Sequence, residues 1–317
     1  MRQGGLLTLN GVSPSCVGLP AGNWPTFTDF LVQRFPAIPR ETWLARMAAG
    51  LVVDEFGVAV TAERAYRGHM LRLFYYRALA TEPRIPFEAS VLFQDEHLVV
   101  ADKPHFLPVT PSGHYLQETL LVRLKNLLGL DGLTPIHRID RETAGLVLFS
   151  IQPTERDAYQ GLFRRHEISK HYEAIAPWRA GLPFPLVRKT RIGEDELFFR
   201  QREISGEANS ETHIDVLEIN GAHARYALSP VTGKKHQLRV HMNALGLPIL
   251  NDRIYPPVET TPDDNYAEPL QLLAKSIAFI DPVSGQARRF ESRLSLAWPP
   301  TLSATRANDW QVAQGVG

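Results

Sequence analysis

The stretch Pro135-Ile136-His137-Arg138-Ile139-Asp140-Arg141-Glu142-Thr143-Ala144-Gly145-Leu146-Val147-Leu148-Phe149-Ser150 runs a dense charged cluster straight into an apolar, β-prone segment. Gly145 to Ser150 predicts a short buried strand. Thr134-Pro135 and Thr143-Ala144-Gly145 are turn-rich brackets, so the charged cluster is expected in a loop pinned at both ends. Asp140 stands between Arg138 and Arg141, positive neighbours that suit a carboxylate to nucleophilic or base chemistry. The same three charges would also make a structural ion-pair network, and the segment alone does not choose between the two readings.

Three further segments carry the same kind of signal. Upstream lies Val91-Leu92-Phe93-Gln94-Asp95-Glu96-His97-Leu98-Val99-Val100-Ala101-Asp102-Lys103-Pro104, two strand-like runs around a turn that end in Asp-Lys-Pro. Downstream lie Ser169-Lys170-His171-Tyr172-Glu173-Ala174 and Gly233-Lys234-Lys235-His236-Gln237-Leu238-Arg239-Val240-His241. Together, and in this order, the four segments resemble the motifs of the RluA-type pseudouridine synthases: H-R-L-D-x-x-T-S-G-L-L-L-F-A at the centre, K-x-Y-x-A, and G-R-T-H-Q-I-R-V-H. Ile139 replaces the usual Leu and Ala144 the usual Ser. A fainter continuation departs further, with Asn251-Asp252 where the family favours G-D and Leu272-Leu273-Ala274 where it favours L-H-A.

The resemblance implies roles for particular residues. Asp140 would be the catalytic carboxylate, Tyr172 the tyrosine that stacks on the target base and takes part in the late proton removal, and Arg239 the arginine that pairs with the carboxylate. Arg138 would help to extrude the base or fill its place. Leu238 would wall the base pocket, and His137 and Lys170 would belong to the substrate-binding set. Lys103 would either contact RNA or buttress the site. Leu238, Met242 and Leu245 form an i, i+4, i+7 apolar stripe, so the helix carrying Arg239 is anchored and the arginine can reach inward. No cofactor and no metal are implied. His137, His236 and His241 match no zinc spacing. Val231-Thr232-Gly233-Lys234-Lys235 lacks the leading glycine and the Ser or Thr of a phosphate-binding loop.

Composition bounds the partners. The chain has 317 residues, 44% hydrophobic, enough for one large core and a small accessory domain. Its single cysteine, Cys16, excludes an intramolecular disulfide framework and points to a reducing, cytoplasmic setting. No run approaches the roughly 18 apolar residues of a membrane span, and no basic region followed by a long apolar run marks a secretory leader. Lys and Arg number 34 and so do Asp and Glu, so RNA contact is expected through local patches of an otherwise neutral monomer. The candidates are Arg164-Arg165-His166 with Lys170-His171, Arg188-Lys189-Arg191, and Lys234-Lys235-His236 with Arg239.

Along the chain, residues 1–25 read as an extended lead. Helical spacing follows over Thr26–Arg34 and Arg40–Ala49, then a strand at Leu51-Val52-Val53, within a domain taken as 1–85. That order resembles, weakly, a degenerate α-L RNA-binding module whose second helix keeps mainly Arg40 and Arg46. Ala80 to Phe87, with Pro83 and Pro86, is the expected linker. The catalytic domain, 86–300, is predicted to place helices at 117–128, 154–165 and 235–246. Its strands are predicted at 145–150, 170–178, 212–219, 223–231, 270–280 and 286–294, and 301–317 is expected to be a mobile tail. Consecutive strands joined by short turns such as Asn220-Gly221 argue for an α+β class with antiparallel pairing. The resemblance implies the pseudouridine synthase fold, a mostly antiparallel central sheet with flanking helices. The activity implied is isomerisation of a uridine in ribosomal or transfer RNA. The alternatives are a synthase-like RNA-binding protein without activity and, less favoured, a glycosidase using Asp140 and Glu142.

Overall fold

The computed structural model describes residues 8–68, 72–77, 82–113, 115–197, 199–255 and 265–299. The chain forms two compact units: Met1–Ile168 with Asp263–Ala267 and Ile277–Glu291, and Ser169–Pro262 with Glu268–Ser276 and Ser292–Gly317. The expected tail, 301–317, lies outside the described residues.

The first unit opens with a small sheet. β1 (Ser15–Gly18), α1 (Phe27–Arg34), α2 (Arg40–Ala48), β2 (Val52–Asp54) and β3 (Arg72–Tyr75) follow one another, and the strands pair antiparallel in the order β1-β3-β2. β1 corrects the expectation of an extended lead, and β3 was not anticipated. Thr26 starts α1 through a capping box, its hydroxyl accepting from the Asp29 N–H while the Asp29 carboxylate accepts from the Thr26 N–H. Phe30, Leu31 and Trp43 sit fully buried in a core of their own. Arg40 pairs with Asp29 at 2.8 Å and Arg46 lies over the Trp43 ring at 4.9 Å. Both arginines of α2 thus engage this domain's own residues, as a packing element would have them.

From residue 82 onward the expected linker is irregular but fixed in place. Glu82 accepts from the backbone N–H groups of Leu116, Gln117 and Glu118. Ile85 is fully buried, and Arg123 donates to its carbonyl at 2.7 Å.

β4 (Ser90–Gln94) and β5 (Leu98–Lys103) lead to α3 (Leu120–Leu128), β6 (Thr134–Pro135), β7 (Ala144–Ser150) and α4 (Arg156–Arg164). β5 lies between β4 and β7, antiparallel to both, and β6 pairs antiparallel with β7. β5 and β7 are buried along their whole length because both faces are covered. Leu98, Val100, Leu146 and Leu148 face Tyr159 and Leu162 of α4, whereas Val99, Ala101, Val147 and Phe149 face Leu120 and Leu124 of α3. The continuous apolar run seen in sequence is therefore two alternating faces, each Val, Leu or Phe stabilised by roughly 1.5–3 kcal/mol of burial. α3 begins at Thr119, whose hydroxyl accepts from Val122 N–H, and ends at Gly129 with φ 66°.

The second unit holds β8 (Ile168–Pro177) from Ser169 onward, β9 (Leu186–Glu194), β10 (Gln201–Ile204), β11 (Ser210–Asn220), β12 (His223–Pro230) and α5 (Gln237–Ala244). The strands run β10-β9-β11-β12-β8, each pair antiparallel. β12 alternates half-buried and buried residues, and Ala224, Tyr226 and Leu228 pack with Leu238 and Met242 of α5. β9 and β10 were not anticipated from the sequence. β13 (Leu272–Ile280) is divided between the units and pairs with β14 (Ala287–Glu291). Among the described residues no helix is long and apolar enough to cross a membrane.

Candidate active site

In the first unit, the loop between β6 and β7 carries Arg138 and Asp140. Its approach is paired to β7 beyond β6, since Ile136 N–H donates to Leu148 O at 2.8 Å. His137 extends the pairing: its Nε2 accepts from Leu148 N–H at 3.2 Å, and its ring stacks on Phe163 at 4.7 Å. His137 thus has a positioning contact that the sequence did not reveal. Thr143 N–H donates to Asp140 O at 3.2 Å, closing the turn. The exit needs Gly145, whose φ of 109° opens β7.

What fixes the loop is capture of its carbonyls. Lys103, at the end of β5 and 0% exposed, donates from Nζ to Arg141 O at 3.0 Å and to Pro104 O at 2.9 Å. His105 Nδ1 lies 2.6 Å from Glu142 O and donates to it. Arg141 Nε donates to Phe106 O at 3.1 Å, and its guanidinium lies over the Tyr115 ring. Burial lowers Lys103 to a pKa of about 7, against an upward pull from the Glu142 and Asp140 carboxylates. Burial likewise lowers His105 to about 4, so its imidazole is neutral at pH 7. Of the two roles weighed for Lys103, an RNA contact or a buttress, its full burial and two carbonyl partners are those of a buttress. Arg138, by contrast, is exposed.

In the second unit, β8 and α5 present the other candidates. Tyr172 on β8 and Leu238 on α5 pack against the same apolar cluster, Tyr172 half-buried and Leu238 7% exposed. Lys170 Nζ donates to Thr232 O at 3.1 Å and so braces the loop before α5. Burial lowers its pKa to about 8. Gln237 ties the start of α5 down: its Oε1 accepts from Thr232 Oγ1 and Lys234 N–H, and its Nε2 donates to Glu211 O and Thr212 Oγ1. His241, fully buried and lowered to about 4 by burial, meets the hydroxyls of Thr190, Ser210 and Thr212 at 2.9–3.1 Å.

Arg239 is 1% exposed and makes a bidentate pair with Asp252, Nε to Oδ2 at 2.7 Å and Nη2 to Oδ1 at 2.8 Å. Asp252 was read only as half of a diverged motif. The divergence is slight in physical terms, because Asn251 has φ 63°, the left-handed region where Asn is the usual substitute for Gly.

The expected basic patches are largely balanced by local partners. Arg164 pairs with Asp157, Arg165 with Glu167, Arg188 with Glu203 and Lys189 with Glu211. Lys234 and Lys235 are exposed. Among the described residues no group of three or more His, Cys, Asp or Glu is placed to hold a metal.

The carboxylate loop of the first unit and the tyrosine and arginine of the second are carried on an α+β framework, and the relatives of that framework are pseudouridine synthases. Residues 97–244 match the family described as RNA pseudouridylate synthase. The dual-specificity RNA pseudouridine synthase RluA of Haemophilus influenzae is 31% identical over 208 residues, covering 64% of this chain and 92% of that protein. An uncharacterised RNA pseudouridine synthase of Synechocystis is 30% identical, over 72% of this chain and 79% of its own. The solved structure of human RNA pseudouridylate synthase domain-containing 4 aligns with TM-score 0.51 at 27% identity, over 64% of this chain and 88% of that one. The chain belongs to the RluA-type family of RNA pseudouridine synthases.

Proposed function

We propose that this enzyme isomerises a uridine in a structured segment of ribosomal or transfer RNA, acting as a monomer in the cytoplasm. Asp140, Tyr172 and Arg239 would carry the chemistry. The observation that carries the reading is the Asp140 loop, held by Lys103 and His105 through its own carbonyls and therefore preorganised before substrate arrives. The reaction breaks the bond between ribose C1′ and uracil N1, turns the base, and joins C1′ to C5. N1 gains a proton and C5 loses one, so no oxidant or external group is consumed. A base stacked in RNA is out of reach, so the nucleotide is flipped out at a cost of a few kcal/mol, offset by contacts in the pocket.

In this reading Asp140 either attacks C1′ or removes a proton from the neighbouring ribose carbon. Tyr172 stacks on the flipped base and takes part in loss of the C5 proton, for which a phenol is suited and a phenyl ring is not. Arg239 supplies a planar, permanently charged partner for the catalytic carboxylate. Asp140 belongs to one unit and Tyr172 and Arg239 to the other, and their cooperation is part of the proposal. Exposed Arg138, Lys234 and Lys235 are the proposed RNA contacts. Relatives named for transfer RNA, such as the yeast mitochondrial tRNA pseudouridine(32) synthase, 32% identical over 170 residues, support the substrate class.

The test is release of tritium from RNA labelled at uridine C5, with purified protein beside Asp140→Asn. Release by the wild type and none by the variant is expected. No release from any ribosomal or transfer RNA would sink the enzyme reading in favour of an RNA-binding protein. Release that survives Asp140→Asn would sink the assignment of the carboxylate.

A further inference from the structure

Asp252 does more than pair with Arg239. Its Oδ1 also accepts the backbone N–H groups of Ile254 at 2.9 Å and Tyr255 at 3.1 Å, so the carboxylate is itself held by the turn that follows it. Tyr255, 2% exposed, lies between two guanidiniums, Arg239 at 5.5 Å and Arg200 at 4.9 Å from its ring centre. Its hydroxyl donates to Gln201 O at 3.1 Å, accepts from Gln201 N–H at 2.9 Å, and meets His236 Nδ1 at 3.1 Å. A phenol has one proton and two acceptor sites, so these three contacts saturate it when His236 Nδ1 is the donor. The result is a continuous set of contacts from Arg239 through Asp252 and Tyr255 to Gln201, the first residue of β10.

A buried ion pair adds little net stability, because desolvation offsets most of the Coulomb attraction. It does fix geometry: two parallel hydrogen bonds set the plane of the guanidinium, and the ring of Tyr255 lies against it. Arginine rotamers are otherwise many, and a reacting group misplaced by about 1 Å loses about 100-fold in rate.

We propose that Asp252 and Tyr255 are positioning residues for the isomerisation. Asp252 sets the plane and charge environment of Arg239, and Tyr255 ties that arginine to the start of β10. The inference rests on the reading that Arg239 serves the reaction. It differs from that reading in naming groups that act through Arg239.

The experiment is single-turnover tritium release from C5-labelled total RNA of cells lacking the protein, with RNA retention on filters measured in parallel. Asp252→Asn keeps the size and acceptor oxygen but not the charge. Its rate constant is expected to fall about 100-fold, with RNA retention and the unfolding midpoint close to wild type. Tyr255→Phe keeps the ring between the arginines and loses only the hydroxyl. Its rate is expected to fall about 10-fold, the loss of one hydrogen bond's worth of positioning. A readout independent of turnover is the exchange of the Arg239 Nε proton, followed by nitrogen-15 NMR, which should speed up at least about 10-fold in Asp252→Asn for the same loss.

Wild-type rates in folded Asp252→Asn would overturn the proposal while leaving the enzyme reading intact. If that variant fails to fold, Tyr255→Phe decides, and a rate equal to wild type overturns the proposal. If the wild type itself releases no tritium, the enzyme reading falls. An Arg239 Nε proton that exchanges equally fast in both proteins then overturns the positioning role separately.

Discussion

The loop that carries Asp140 and the helix that carries Arg239 are held in opposite ways. In the loop, the groups that are gripped are backbone carbonyls, those of Arg141 and Glu142, and the gripping groups are Lys103 and His105 from the neighbouring strand end. On α5 the gripped groups are side chains: Gln237 and His241 meet at the Thr212 hydroxyl, and Arg239 reaches the Asp252 carboxylate. The first arrangement encodes geometry in the main chain, and the Asp140 carboxylate adds its pull on the buried Lys103 ammonium. The second makes Arg239 part of what it is positioned by. A functional residue on the loop is therefore expected to be replaceable without unfolding, and one on the helix is not.

The largest difference should appear when each is neutralised. Asp140→Asn is expected to lower turnover by at least about 1,000-fold, the scale of losing a preorganised charge, with an unfolding midpoint in urea close to wild type. Arg239→Met is expected to lose turnover and also about 3–5 kcal/mol of stability, because it leaves the Asp252 carboxylate buried without its partner. Equal stability losses in the two variants would erase the contrast.

A second comparison turns on pH. Lys103 has a pKa of about 7 when folded, below its ordinary value of 10.5, so between these limits the unfolded chain binds more protons. Stability therefore rises with pH through that window, and below pH 7 the burial penalty is fully present. Lys103→Met removes the group. The stability of the wild type relative to this variant is expected to increase from pH 7 to about pH 9.5 in urea titrations. A difference that stays flat would show that the ammonium is not desolvated as described. The same variant frees the Arg141 carbonyl and should slow turnover about 10-fold, the worth of one buried hydrogen bond. No comparable pH dependence is expected from Arg239, whose guanidinium stays charged throughout.

How much of this could be read beforehand follows from where the information lies. β7 was legible because its burial on two faces leaves an unbroken apolar run, Ala144 to Phe149. α1 was legible because Thr26 and Asp29 state its start locally. β9 and β10 were not, since Arg188, Lys189, Arg191 and Glu194 leave no apolar face to see. Their order comes from pairing with β11 and from the Arg188–Glu203 ion pair across the hairpin, both long-range. β1 and β3 are four residues each, too short for a period to declare itself. The site divides the same way. Asp140, Tyr172 and Arg239 are proposed through motifs, whereas Tyr255 and the burial of Lys103 depend on partners distant in sequence that only folding brings close.

Gly145 sharpens the contrast at the smallest scale. It is the second residue of β7 and the hinge at the end of the gripped loop, and its φ of 109° lies where a side chain is strained. Gly145→Ala must either hold an alanine there, at about 1–3 kcal/mol, or relax the backbone and shift Asp140. These outcomes separate in two measurements. A loss of stability with turnover unchanged means that Lys103 and His105 hold the loop against the strain, as main-chain capture predicts. A loss of turnover with stability preserved means that the strand entry, and not the captured carbonyls, sets the position of Asp140. The first result is expected, because the captures at Arg141 and Glu142 stand between the hinge and the acid.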